Sequence, residues 1–509
     1  MMRGAFSIGL ISVLLFLTIL QTGTGLAASE AKVTVALPHD LTTLNPFKAR
    51  VGQDRNIYMA LYQPLFIHDT ATGGSALCLA ESYKFSDNNK DILVKVRKGA
   101  KFHNGDPVTA HDVRFSWQQF IDEKNANAYS KLYRSIKDIE VVDDHTCVFH
   151  LGEVNVAWGW LFQNLFIGSK KYYEKVGDDE FTKRPIGSGP FRFVSRSINE
   201  SITLEAVENH HSSPAHFKTL KYLVVPDEIT RMAMLEKGEA DLIFPVPPHQ
   251  LKRLEQNKRV KIKTATVPSY YGLSFHSINF PFLQDKNLRL AFNYAINRQE
   301  IVDKIFLGMA HPLHIFGSMA EISYDPNIKY PYNPEKAKEL IKNSSYTPGT
   351  PIMLTYHSLV SNASQVAEAV QGYMEKVGVT IQLREMEVGT YLSLVRKKSK
   401  DLGPLTATAW FGSEDPDDRL LMGVRSNGVY TQVPAKKEVD QLIDEQHLTL
   451  DEKKRYGIIN KIYQILHEDP PFVPLFGAPM IYAMNDRIDY TWVNRVNRLY
   501  NLWETKVVK

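Results

Sequence analysis

Residues 96–116 read VRKGAKFHNGDPVTAHDVRFS, and the order of strand, turn and helix signals in this run decides the fold class. The run opens as the end of a strand and passes through the cations Arg97, Lys98 and Lys101. Asn104-Gly105 is the dipeptide best suited to a turn with positive φ, and Pro107 closes the turn region. Thr109 stands three residues before Asp112, which is the spacing of a capping box and opens a helix at Ala110. A strand, a tight turn and a capped helix in succession point to a mixed α/β chain.

Working outward, the same signals recur along the chain. Strands are expected at 32–37, 76–85, 92–96, 201–206, 220–225 and 269–275. Residues 141–151 alternate as a strand with a turn at Asp143-Asp144. Helices are expected at 228–238 and twice within 285–308, the second capped by Asn297 through Glu300 and ended by Gly308. Asn333-Pro334 places a cap before a proline at the first helical position, so 334–342 is helical. Residues 351–387 read as strand, helix, strand, a unit whose crossover is right-handed and whose strands are parallel. Two further helices follow at 434–446 and 450–467, the latter capped by Thr449 with Glu452. In PIGSGPFRFV, residues 185–194, Gly187 and Gly189 read as positions needing backbone angles closed to other residues. A phosphate loop would require GxxxxGK[ST] before a helix, which this run lacks.

Four stretches together resemble the family 5 extracellular solute-binding proteins, which serve ATP-driven importers. They are 96–116, PIGSGPFRFV, ADLI at 240–243, and DKNLRLAFNYAINRQEIVDKIFLG at 285–308. The resemblance implies an α/β fold of two lobes around a cleft, the periplasmic binding protein architecture. It implies a discontinuous first lobe carrying a small inserted domain. On that pattern 1–28 is a leader, 29–70 and 185–272 form the first lobe, and 71–184 is the insert. Residues 273–482 form the second lobe, and 483–509 return to the first. The implied function is capture of a short peptide by lobe closure and its delivery to the membrane permease. A nickel chelate or another small solute is the alternative ligand.

Composition agrees with a globular receptor. The chain has 509 residues, 44% apolar and 23% charged, and its net charge of +4 gives no electrostatic footprint for nucleic acid. Residues 1–28 carry Arg3, an apolar run at 8–20 and small residues before Ala27 and Ala28, the pattern of a cleaved signal peptide. No Cys stands near that site, so no lipid anchor is expected and the mature chain is placed in the periplasm as a monomer. Cys78 and Cys147 are an even pair in an oxidising compartment, and either a disulfide or two buried thiols is expected of them.

The informative stretch for function is 409–420, AWFGSEDPDDRL. In the peptide-binding branch of the family, a second-lobe tryptophan is followed three residues later by an aspartate that holds the ligand's α-ammonium. Here Trp410 is followed at that distance by Ser413, and the spacing to Asp415-Pro416 resembles the nickel-binding branch instead. A buried ammonium without a carboxylate costs several kcal/mol, so Glu414 or Asp415 is the expected substitute. The ligand-binding candidates are therefore Trp410, Phe411, Gly412, Ser413, Glu414 and Asp415, with Tyr270 and Tyr271 where the chain passes between lobes. A solvated acidic turn is the competing reading for the carboxylates, and core packing for the tyrosines. No cofactor or metal set is expected: His311 and His314 read as loop residues. GxSxG and HExxH motifs are missing, which disfavours the reading from another class, an exported hydrolase.

Overall fold

Thr109 caps the helix Ala110–Ile121 as expected: its amide and hydroxyl both donate to Asp112 Oδ2, at 2.9 and 2.7 Å. The other oxygen of Asp112 accepts from the amide of Lys170 at 2.9 Å, so one carboxylate anchors the starts of two helices. Gly105 has φ +88°, and Lys101 and Pro107 bridge across the turn. The motif is thus a structural corner. The computed structural model describes residues 29–508 except 50–53, 70–74, 128–129, 155, 157, 322, 359, 361, 412–414, 435 and 491–501. The expected leader and most of the C-terminal tail lie outside the described residues.

Two large sheets organise the chain. The first has seven strands, in the order Val260–Thr266, Pro479–Asn485, Leu242–Ile243, Ser29–Leu37, Phe217–Val224, Ser201–Ala206 and Phe191–Ser197. Its centre is parallel: Ser29–Leu37 runs alongside both Phe217–Val224 and Leu242–Ile243. The second has six, in the order His311–Pro312, Phe472–Gly477, Ser269–Phe275, Leu405–Phe411, Ile352–Tyr356 and Ile381–Glu385. All seven residues of Ser269–Phe275 are buried, as an interior strand with both faces covered requires. Ile352–Tyr356 and Ile381–Glu385 are the parallel pair expected at 351–387, joined by the helix Ala363–Glu375. A separate four-stranded antiparallel sheet, Ala80–Phe85, Asp91–Val96, Thr146–Leu151 and Ile136–Asp143, falls wholly within the expected insert. It shares a continuous apolar core with the first large sheet, through Phe47, Tyr58, Phe66 and Phe149.

Among the described residues the chain crosses between the large sheets twice, after Thr266 and after Gly477. The expected lobe boundaries at 272–273 and 482–483 therefore fall inside the strands Ser269–Phe275 and Pro479–Asn485. Leu502 and Trp503 return to the first core, and the Trp503 carbonyl accepts from His216 N at 2.9 Å.

Three local readings are corrected. Neither Gly187 nor Gly189 has a positive φ. They are glycines for want of room: a Cβ would lie 1.9 Å from the Leu61 carbonyl oxygen at Gly187, and 2.4 Å from that of Ala60 at Gly189. The helix Glu452–Glu468 is capped by Asp451, which accepts from Lys454 N at 2.7 Å, while Thr449 donates to the Glu445 carbonyl. The third concerns the cysteines. Cys78 and Cys147 are both free and buried, so no disulfide joins them. Cys147 sits inside the four-stranded sheet between Val94 and Val141, whereas Cys78 turns to Gln63, whose Nε2 donates to its sulfur at 3.5 Å. Burial pushes both thiols up to about 12, and a thiol so held is a poor nucleophile. Thiol counting on denatured, unreduced protein should find two thiols that react only slowly in the native state; one bridge would contradict the fold.

Candidate functional site

In open α/β sheets, ligands bind beyond the carboxyl ends of the strands. In the first sheet the parallel strands end together at Leu37, Val224 and Ile243. In the second, Ile352–Tyr356, Ile381–Glu385 and Leu405–Phe411 also run in one direction; the first two end together at Tyr356 and Glu385, and Leu405–Phe411 continues about four residues beyond them. Ser269, the first residue after one crossing, pairs with Phe411. Its hydroxyl donates at 2.9 Å to the carbonyl of Ala478, the single residue between the strands of the other crossing. The end of Leu405–Phe411 is thus set beside both crossings, where lobe motion would be smallest and a ligand could touch both halves.

Trp410 is half-buried, edge-on to Phe316 at 5.8 Å and to Tyr430 at 5.4 Å. Gly423 makes space for it, since a Cβ there would come within 2.9 Å of the indole. Phe411 projects from the opposite face, 47% exposed and edge-on to Tyr271. Gly412, Ser413 and Glu414 lie outside the described residues.

The two tyrosines are placed beside this strand end by register, Tyr270 opposite Trp410 and Tyr271 opposite Ala409. Both are packed in the core of the second lobe. Tyr270 is fully buried against Phe316, and its hydroxyl lies over Gly272, pointing along the strand into the lobe. Tyr271 stacks on Phe476 at 4.8 Å.

Asp415 is already committed. Arg455 donates to both its oxygens, at 2.6 Å each, and Asp417 N donates to Oδ1 at 2.9 Å. From Arg455 a buried chain continues: its Nε donates to Gln446 Oε1 at 3.0 Å, and Gln446 Nε2 donates to Asp417 Oδ1 at 2.6 Å. His447 Nδ1 stands 2.9 Å from Asp417 Oδ2. That bond is the main reason the His447 imidazole is held above its usual range, and Glu153, beyond the end of Thr146–Leu151, adds to the same field. Nothing at sequence separation 40 flagged Arg455; its signal is only a cation on the buried face of an amphipathic helix.

Asp418 is the carboxylate left over. Among the described residues its side chain has no hydrogen-bond partner, and burial, with Asp417 and Asp415 beside it, pushes its carboxyl up to about 7. Its folded-state value exceeds the unfolded one, so it favours folding when protonated and costs stability as pH rises toward 7. Asp418→Asn should therefore stabilise the free protein at pH 8, by up to about 4 kcal/mol, and by progressively less toward pH 4.5. Urea unfolding across that range measures it; a gain independent of pH would contradict the assignment.

Comparison with known proteins gives the family and the fold. Residues 76–431 match the model described as bacterial extracellular solute-binding proteins, family 5 middle. The glutathione-binding protein GsiB of Shigella flexneri serotype 5b is 27% identical over 493 residues, covering 94% of each chain. Among solved structures, the transporter substrate-binding protein CtaP of Listeria monocytogenes superposes with a TM-score of 0.85 at 24% identity, over 94% of this chain and 100% of that one. DppA of Helicobacter pylori, in complex with the peptide STSA, superposes with a TM-score of 0.78 at 23% identity, over 94% and 98%.

Proposed function

The chain belongs to the bacterial extracellular solute-binding proteins of family 5, and from that premise we propose that it is a periplasmic receptor that captures short peptides for an ATP-driven importer. It binds and releases its ligand and does not turn it over. The two lobes close by hinge motion at the crossings after Thr266 and Gly477. An extended peptide is held there by main-chain hydrogen bonds, and water in the side-chain pockets gives tolerance of sequence. The mature protein works as a monomer without a cofactor and hands its ligand to the permease. Among the described residues no helix is long and apolar enough to cross a membrane.

The observation that carries this reading is the surplus of carboxylate beside the hinge. Asp415 is met by Arg455 and Asp417 by His447, whereas Asp418 has no such partner. A site with carboxylate to spare suits a ligand with an ammonium end. GsiB is glutathione-binding by name, and glutathione is itself a tripeptide with a free amino group, so the relative supports the same class. A nickel chelate is the second reading, favoured by Ser413 standing where the peptide branch has aspartate.

A ligand at 100 times its dissociation constant adds about 2.7 kcal/mol of stability. Thermal shift with di- to pentapeptides, glutathione and nickel-histidine should raise the midpoint by a few degrees for some of the peptides. A shift by nickel-histidine alone would overturn the peptide reading.

A further inference from the structure

The second lobe holds a cavity beyond the end of its interior strand Ser269–Phe275 that lies away from the hinge. It encloses about 240 Å³ and is walled by Ser277, Arg289, Lys436 and Asp469, with Val424, Val439 and Leu466 among its apolar lining. Ser277 follows the far end of Ser269–Phe275, eight residues from the hinge residue Ser269, which is about 26 Å along an extended chain. No residue of 410–418 lines it.

The polar wall carries more cationic donors than anionic acceptors: Arg289 and Lys436 stand against the single carboxylate Asp469, and Gln284, whose Nε2 donates to the Ser277 carbonyl at 3.1 Å, is neutral. Asp469 has both oxygens taken, Oδ1 by Arg289 and Oδ2 by Lys436 Nζ at 2.5 Å. Arg289 is fully engaged in position, its Nε on the Pro470 carbonyl at 2.9 Å and its Nη1 on that of Leu283 at 2.6 Å. Two cations against one carboxylate leave the wall net positive. Lys436 is 39% exposed and retains N–H groups beyond the one given to Asp469. Ser277 is 1% exposed, and its hydroxyl has no hydrogen-bond partner. An orphaned buried hydroxyl is uncommon and calls for an acceptor.

We propose that this cavity is a second ligand site, taking a small organic monocarboxylate with an apolar body. The carboxylate accepts from Lys436 and Ser277, and the hydrocarbon lies on Val424, Val439 and Leu466. At about 30 Å³ per water the space equals roughly eight waters, which suits a chain of about six carbons. The site is separate from the peptide cleft and does not depend on what the cleft binds.

Calorimetry of the full mature chain with sodium hexanoate tests this, with hexanamide as the uncharged control. Saturable hexanoate binding is expected, at least fivefold tighter than hexanamide, and weakened fivefold or more by Lys436→Gln. Ser277→Ala, which removes only a hydroxyl and leaves the Asp469 pairings intact, should weaken it severalfold without altering the fold. Hexanoate binding no tighter than hexanamide, or unaffected by Ser277→Ala, would overturn the proposal.

Discussion

Arg419→Met should lower the free energy of unfolding by about 3–5 kcal/mol. Glu321 is fully buried, and its Oε2 accepts from Arg419 Nη2 at 2.6 Å and from the Tyr463 hydroxyl at 2.9 Å. Arg419 also donates through Nε to the Phe316 carbonyl and lies 5.3 Å from the Phe316 ring. Removing the guanidinium strands a carboxylate in the core beneath the very ring that supports Trp410. The loss comes from that stranded charge more than from the pair itself, so Arg419→Met with Glu321→Gln should recover most of it. Urea unfolding of the single and double variants decides the matter. A single-variant loss below 1 kcal/mol would mean that the buried triad does not hold the lobe together.

Glu414→Gln should weaken binding of a peptide with a free amino terminus by about 2 kcal/mol or more, as for other desolvated charge pairs. Asp415 is already neutralised by its two bonds from Arg455. Glu414, which lies outside the described residues, and Asp418, which has no such cation partner among them, are the candidates, and Asp418→Asn run in parallel separates them. Whichever carboxylate meets the ammonium should lose most of its effect when the peptide is acetylated, because the charge it pairs is gone. Equal losses for free and acetylated peptides in both variants would remove the ammonium from the account. Ser413→Asp, which restores the residue of the peptide-binding branch, should be tolerated.

What could be read from the sequence was local. The capping box at Thr109 and Asp112, the helix Pro334–Lys342 after Asn333, and the parallel pair around Ala363–Glu375 each follow from neighbours within a few residues. What could not be read depends on partners far along the chain. Gly187 and Gly189 are dictated by the backbone at Ala60 and Leu61. The role of Asp415 is set by Arg455, and that of Asp417 by Gln446 and His447. Tyr270 and Tyr271 follow directly on a crossing, and a strand buried on both faces turns their rings into the core. The expected lobe boundaries fall a few residues inside strands, although Pro268 at one crossing and Gly477 and Pro479 around the other mark where the chain changes sheets.

The central claim is that this receptor holds intact short peptides. The most direct measurement is mass spectrometry of the small molecules released when the purified, undialysed protein is denatured. Uncleaved peptides of a few residues, with free amino termini and varied side chains, are the expected result. A single non-peptide solute or a nickel chelate in stoichiometric amount, or cleavage products accumulating from an added peptide, would contradict it.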